Sequence, residues 1–262
     1  REGVNAGDYV MLAGYPGITY RHRSAAEFAD QVQWRLPTAI AAMKQLQEVI
    51  EDAGEKDAQA RIRYASQLQS LKNGIKRFSG ELEGLTRSDA VRARQQDETA
   101  MLAWLDKQAT AKSLRPQIDA VVERIAEGKA NRERDLLFGL IQSQTQLMRS
   151  ALRLQRLAHE RTRPDAERED GYQQRDEALI ASGLRQVQRR YDPAVEKRLL
   201  TALLARYQQL PTTQHVSEFD AAFGHTAAEL AATLDRVYAT TVLGDEAQRL
   251  HWMNADATTL AS

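Results

Sequence analysis

The sequence predicts a mainly α-helical, bundle-like domain entered through a single β-strand. Along most of the chain, apolar residues recur at steps of three and four. Capping and stop residues punctuate those runs at helix-like intervals. Only Tyr9–Ala13, a short apolar run between Gly7-Asp8 and Gly14, reads as a buried strand, since a helix usually needs ten residues or more. Tyr15-Pro16-Gly17 then reads as a turn, with proline presetting φ and glycine accepting a positive φ. One strand cannot satisfy its own donors and acceptors, so it is expected to pair with chain outside these 262 residues. Residues 1–19 are therefore read as the end of a β-structure. Residues 20–262 are read as a helical insertion, incomplete at its C-terminus. The start at Arg1 and the stop at Ser262, without methionine or terminating signal, fit a piece of a longer protein.

Each helix follows from local signals. Ser24 with Glu27 is a capping box opening a first helix that carries Phe28, Val32 and Trp34 and ends near Leu36. Pro37 opens the next, through Ile40, Met43, Leu46, Val49 and Ile50, stopped by Gly54. A third, over roughly 57–78, has a buried stripe of Ala58, Ile62, Ala65, Leu68, Leu71, Ile75 and Phe78, and resumes after a break at Ser79-Gly80. A fourth starts near Ser88-Asp89. A fifth runs from Pro116 through Ile118, Val121, Val122 and Ile125 to Gly128. The longest is expected over about 131–161, an arm of the kind found in bundles and coiled coils. After Arg163-Pro164-Asp165 a helix runs to about Tyr191. Asp192-Pro193 restarts it as far as Leu210-Pro211, and residues 212–215 form a linker. Shorter helices are expected around 217–223, 226–241 and 245–253, with a last stretch after Asp256.

The bulk composition excludes several classes. Lys+Arg and Asp+Glu are both 36, and this balance argues against nucleic acid or an anionic membrane as partner. No cysteine is present, so disulfides and thiol ligands are ruled out. No apolar stretch approaches a membrane span.

Chemistry inside this chain is hard to find. The histidines His22, His159, His215, His225 and His251 form no helical two-histidine zinc pattern, so no metal or cofactor is expected. His225 and Glu229 are expected to be a surface or capping pair. Neither a nucleophile elbow nor a phosphate-cradling glycine loop occurs. Arg149, Arg153 and Arg156 share a helical face, read as solvated and paired with nearby acids. Trp34, Trp104 and Trp252 are read as packing residues. The chain by itself is expected to lack a catalytic residue.

The segment Gly7-Asp8-Tyr9-Val10-Met11, followed by Gly14-Tyr15-Pro16-Gly17-Ile18-Thr19 and Tyr20-Arg21, resembles a stretch of the bacterial chymotrypsin-fold serine dipeptidyl-peptidases. This family includes dipeptidyl-peptidase 7, dipeptidyl-peptidase 11 and dipeptidyl aminopeptidase BII, the last being the nearest relative expected. The resemblance implies a double β-barrel carrying the His, Asp and Ser triad outside this chain, with a helical domain inserted after such a strand. That domain caps the cleft, so that dipeptides are cut from the free N-terminus of a peptide substrate. It further implies a homodimer in the periplasm or secreted.

The resemblance also assigns one residue here: Asn73, in Leu71-Lys72-Asn73-Gly74-Ile75-Lys76, matches an asparagine that binds the substrate's α-amino group. Its own context leaves two readings. It projects from the polar side of its helix, and its amide oxygen can accept from an ammonium without adding charge. Equally, Asn73-Gly74 can be a helix C-cap, since both residues accept left-handed geometry. The resemblance favours the ligand role. A different class of function, a stand-alone helical scaffold or adaptor binding a protein partner, is suggested by the long 131–161 arm.

Overall fold

The computed structural model describes residues 3–11 and 22–261. Among the described residues there are helices and connecting turns and no strand. No strand is assigned over residues 9–11, where the expected pairing needs chain outside this one, and Leu12, Ala13 and the Tyr15-Pro16-Gly17 turn lie outside the described residues. Tyr9, Val10 and Met11 are 90%, 67% and 84% exposed, without ladder partners. Locally, the Asp8 carboxylate accepts from the Asn5 amide at 2.7 Å and closes a small turn.

Ser24 and Glu27 form the expected capping box: Ser24 Oγ accepts from the Glu27 amide at 3.2 Å, and Glu27 Oε2 from the Ser24 amide at 2.9 Å. They open α1 (Ala25–Asp30). Pro37 does not begin a separate helix. A π-helical turn, Gln31–Arg35, joins α1 to α2 (Leu36–Lys56) in one rod, with the Leu36 amide reaching back to the Gln31 carbonyl. The wide turn re-registers the backbone just where proline lacks a donor.

Nor does Gly54 stop α2, which runs to Lys56. Its missing side chain serves packing, because a Cβ there would sit 3.2 Å from Arg61 Cβ. Asp57, in extended conformation, makes the reversal, and its carboxylate accepts from the Gln59 amide at 2.8 Å at the head of α3 (Ala58–Arg87). This helix runs unbroken through Ser79-Gly80. A helical glycine costs only about 1 kcal/mol, which cooperative propagation absorbs. The buried line is also rotated from the expected one: Ala60, Tyr64 and Leu71 are buried, while Ile62 is 66% exposed.

Next come α4 (Ala90–Leu105) and α5 (Arg115–Gly128). No residue of α5 is buried, although Ile118, Val121, Val122 and Ile125 recur along it at helical steps. Trp104 is likewise exposed, whereas Trp34 lies under the Arg132 guanidinium, 4.3 Å from the ring centre, and Trp252 packs on a core cluster.

The expected 131–161 arm is two helices, α6 (Arg132–Gln144) and α7 (Gln146–Glu160), broken at Thr145. Thr145 is fully buried with extended backbone, and the freed amides of Gln146 and Leu147 donate to the buried Glu196 carboxylate at 2.5 and 2.8 Å. After α7, the chain takes an irregular path before α8 (Glu177–Arg190), so this helix starts later than Pro164 suggests. The buried Glu160 carboxylate holds that path, accepting from the Glu169 amide at 2.9 Å and from Arg163 at 3.1 Å. Asp192 caps α9 (Pro193–Gln208), as the Asp-Pro pair predicts. The short helices α10 (Ser217–Phe223), α11 (Ala227–Thr240), α12 (Glu246–Trp252) and α13 (Ala257–Ala261) fall where expected.

Two cores result. The larger joins α2, α3, α6, α9 and α11 through residues such as Leu46, Tyr64, Ile141, Leu199, Leu203 and Leu234. The smaller joins α7 and α8 through Leu154, Leu157, Ile180 and Leu184, with Met253 following α12.

Candidate functional site

Asn73 lies in the middle of α3, and its side chain is exposed. The helix continues to Arg87, so the C-cap reading of Asn73-Gly74 is excluded. Gly74 instead allows α2 to approach: a Cβ there would sit 3.0 Å from Met43 Sδ. On the outer face, the Asn73 amide oxygen accepts from Gln69 Nε2 at 3.0 Å. Beside it, Lys72 bridges to Glu51 at 2.7 Å, holding that carboxyl below its ordinary range with help from Gln47. Arg77 stacks over Phe78, 4.6 Å from the ring centre. Asn73 is thus a neutral amide on a polar helix face. Its oxygen retains a second lone pair, enough to accept from an ammonium.

An open groove of about 650 Å³ lies between the start of α1, α4 and α5, with Met101, Leu114, Ile118, Val121 and Val122 as its apolar wall. Glu98 ties its rim together by accepting from the Ala25 amide at 2.6 Å. The apolar periodicity of α5 was legible in the sequence, but it faces this groove and not a core.

The arginine face is divided in purpose. Arg156 pairs with Glu160 and Glu169, as expected, but Arg149 donates to the Gln142 and Ser143 carbonyls at the end of α6. His225 and Glu229 do meet as a cap. Glu229 Oε2 accepts from the amides of His225 and Thr226 at 2.9 and 3.0 Å, closing the capping box of α11.

Spacing alone did not single out a third arrangement, between α9 and α11. Asp220, buried on α10, accepts from the Tyr207 hydroxyl at 3.0 Å, and the same hydroxyl oxygen accepts from the Val216 amide at 2.8 Å. Burial pushes the Tyr207 phenol above its ordinary pKa, which keeps it a donor. His215 Nδ1 lies 3.1 Å from both Asp220 oxygens, and its Nε2 lies 3.1 Å from the Leu210 carbonyl. His225 Nδ1 is 4.0 Å from Asp220 Oδ2. Gly224, at φ +78°, makes the turn that brings His225 there. A Cβ at that position would lie 2.5 Å from Glu229 Cβ. Gly224→Ala is accordingly expected to cost about 1–3 kcal/mol, read as a lowered thermal unfolding midpoint.

The Peptidase S46 family profile matches residues 1–262. The chain is 36% identical over 259 residues to an Asp/Glu-specific dipeptidyl-peptidase of Shewanella putrefaciens, covering 98% of this chain and 35% of that protein. It is 28% identical over 204 residues to dipeptidyl-peptidase 7 of Porphyromonas gingivalis, covering 78% of this chain and 27% of the relative. Among solved structures, DPP11 of Porphyromonas endodontalis superposes with a TM-score of 0.51 at 26% identity, over 95% of this chain and 37% of that one. These similarities do not single out dipeptidyl aminopeptidase BII, and the chain spans about a third of the length of the relatives it matches. With a family match running over its whole length, this helical chain belongs to the Peptidase S46 family.

Proposed function

We propose that this chain is the helical cap of a serine dipeptidyl-peptidase, an enzyme that removes dipeptides from the free N-terminus of peptides. One observation carries the reading: a mainly helical chain of a peptidase family, without a strand among the described residues, spans only about a third of its relatives. Apolar surface left open at Tyr9–Met11 and on α5 supports it, because such surface in a larger protein usually meets another part of it. On this reading a β-barrel elsewhere in the protein pairs with the segment around Tyr9 and supplies the triad, so the fragment alone is inactive. Asn73 binds the substrate ammonium, and the enzyme works as a homodimer in the periplasm or outside the cell. The adaptor alternative loses its motive, since the arm behind it is broken at Thr145.

The test is Asn73→Ala in the whole enzyme. A charge-assisted hydrogen bond of about 1.5–3 kcal/mol corresponds to a loss in kcat/KM of roughly 10- to 150-fold on peptides with a free N-terminus. The exposed position predicts little change in stability. Unchanged kcat/KM removes Asn73 from the site, and absence of dipeptide release by the whole enzyme removes the reading itself.

A further inference from the structure

We propose that His215, Asp220 and His225 bind one divalent transition-metal ion, of the zinc, cobalt or nickel type. A carbonyl can only accept, so His215 Nε2, 3.1 Å from the Leu210 oxygen, carries a hydrogen. The Nδ1 atom then faces both oxygens of Asp220 at 3.1 Å. In the neutral ring that nitrogen bears a lone pair, and a lone pair against a carboxylate is repulsive unless a cation lies between them. The cation is either a proton on Nδ1 or a metal ion.

His225 favours the metal. Its Nδ1 lies 4.0 Å from Asp220 Oδ2, and the three donor atoms fall within 4.8 Å of one another. Donors about 2.0–2.2 Å from a shared tetrahedral ion stand roughly 3.3–3.6 Å apart. To reach that spacing the exposed His225 side chain has to swing inward by up to about an ångström, and the 3.1 Å contact between His215 and Asp220 has to open by a few tenths.

The surroundings are those of a metal centre's outer shell. Leu210 fixes the ring tautomer of His215. The Tyr207 hydroxyl takes Oδ1 of Asp220 and leaves Oδ2 for the ion. Gly224 and the cap on Glu229 fix the backbone of His225. Two imidazoles and one carboxylate suit a borderline ion better than calcium or magnesium, which prefer all-oxygen sets. The exposed side of His225 leaves a fourth position for water. Such an ion would clamp the end of α9 and the start of α11 to α10.

The test uses the intact, tag-free protein stripped with a chelator. One equivalent of Co²⁺ should give the visible absorption of a tetrahedral site, and Zn²⁺ should displace it. His225→Ala, at an exposed position, should keep the helical circular dichroism yet weaken Zn²⁺ binding by calorimetry at least ~10-fold. Absence of saturable one-to-one binding overturns the proposal. So does equal affinity in the His225→Ala protein, which would place the ion on other groups.

Discussion

At pH 5, where the folded carboxyl keeps its proton, Glu196→Ala is expected to lower the unfolding free energy of the helical fold by about 3–5 kcal/mol, the cost of two orphaned amides. Its carboxylate is 1% exposed and is, among the described residues, the acceptor of both the Gln146 and the Leu147 amides, with the Tyr238 hydroxyl 3.4 Å from Oε1. Alanine leaves two amide donors buried without partners at the head of α7, and orphaned buried donors cost more than a hydrogen bond gains. Glu196→Gln, which keeps one acceptor but turns an NH₂ toward an amide, should cost less.

The same residue sets a pH dependence. Burial pushes its pKa up to about 7, against the pull of the two amides and Tyr238. In the unfolded chain its carboxyl titrates near the ordinary value of 4.5. Between these values the folded state holds the proton and the unfolded state does not. Stability from this group therefore falls as pH rises through the window, by at most about 3 kcal/mol. Urea unfolding followed by circular dichroism at pH 5 and pH 7.5 should show the fall in the parent protein and a flatter response in Glu196→Gln. A cost below about 1 kcal/mol for Glu196→Ala would remove the cap from this role.

Arg249→Met should be the next most damaging of these changes, at about 2–4 kcal/mol. The guanidinium is fully buried, yet it donates to neutral acceptors: the Leu184 and Leu243 carbonyls at 2.9 and 2.7 Å and the Gln188 side chain at 3.4 Å. Burial lowers its pKa from the ordinary guanidinium value, while Glu246 and Asp245 act to raise it. Methionine fills a similar volume but takes the donor from the Leu243 carbonyl and the second donor from the helical Leu184 carbonyl, and removing a buried charge returns part of that loss. Since Arg249 binds α12 to α8 and to the loop at Leu243, the loss should be local. Amide exchange should quicken in α12 and the second half of α8 and stay unchanged in α2 and α3. Unchanged protection in α12 would refute the tie.

How much could be read in advance follows from the reach of each signal. The box at Ser24–Glu27, the His225–Glu229 capping pair, the Asp192 cap and the bounds of α9 to α12 were legible because each depends on residues a few positions apart. The polar setting of Asn73 was legible for the same reason, although the mid-helix path that excludes its cap reading was not. The triad of His215, Asp220 and His225 matched no zinc spacing, because a loop, a short helix and a glycine turn bring it together.

The sequence by itself determined that this chain is helical and where most helices begin, because caps and apolar steps are local chemistry. The tertiary structure decided which faces are buried and which long helices break. Thr145 gives up its helical register because a carboxylate about fifty positions away waits for the freed amides. Ile62 is exposed while Ala60 is buried because α2 approaches α3 from the side where Gly54 and Gly74 leave room. Burial belongs to pairs of elements, and no window along a single one contains its partner.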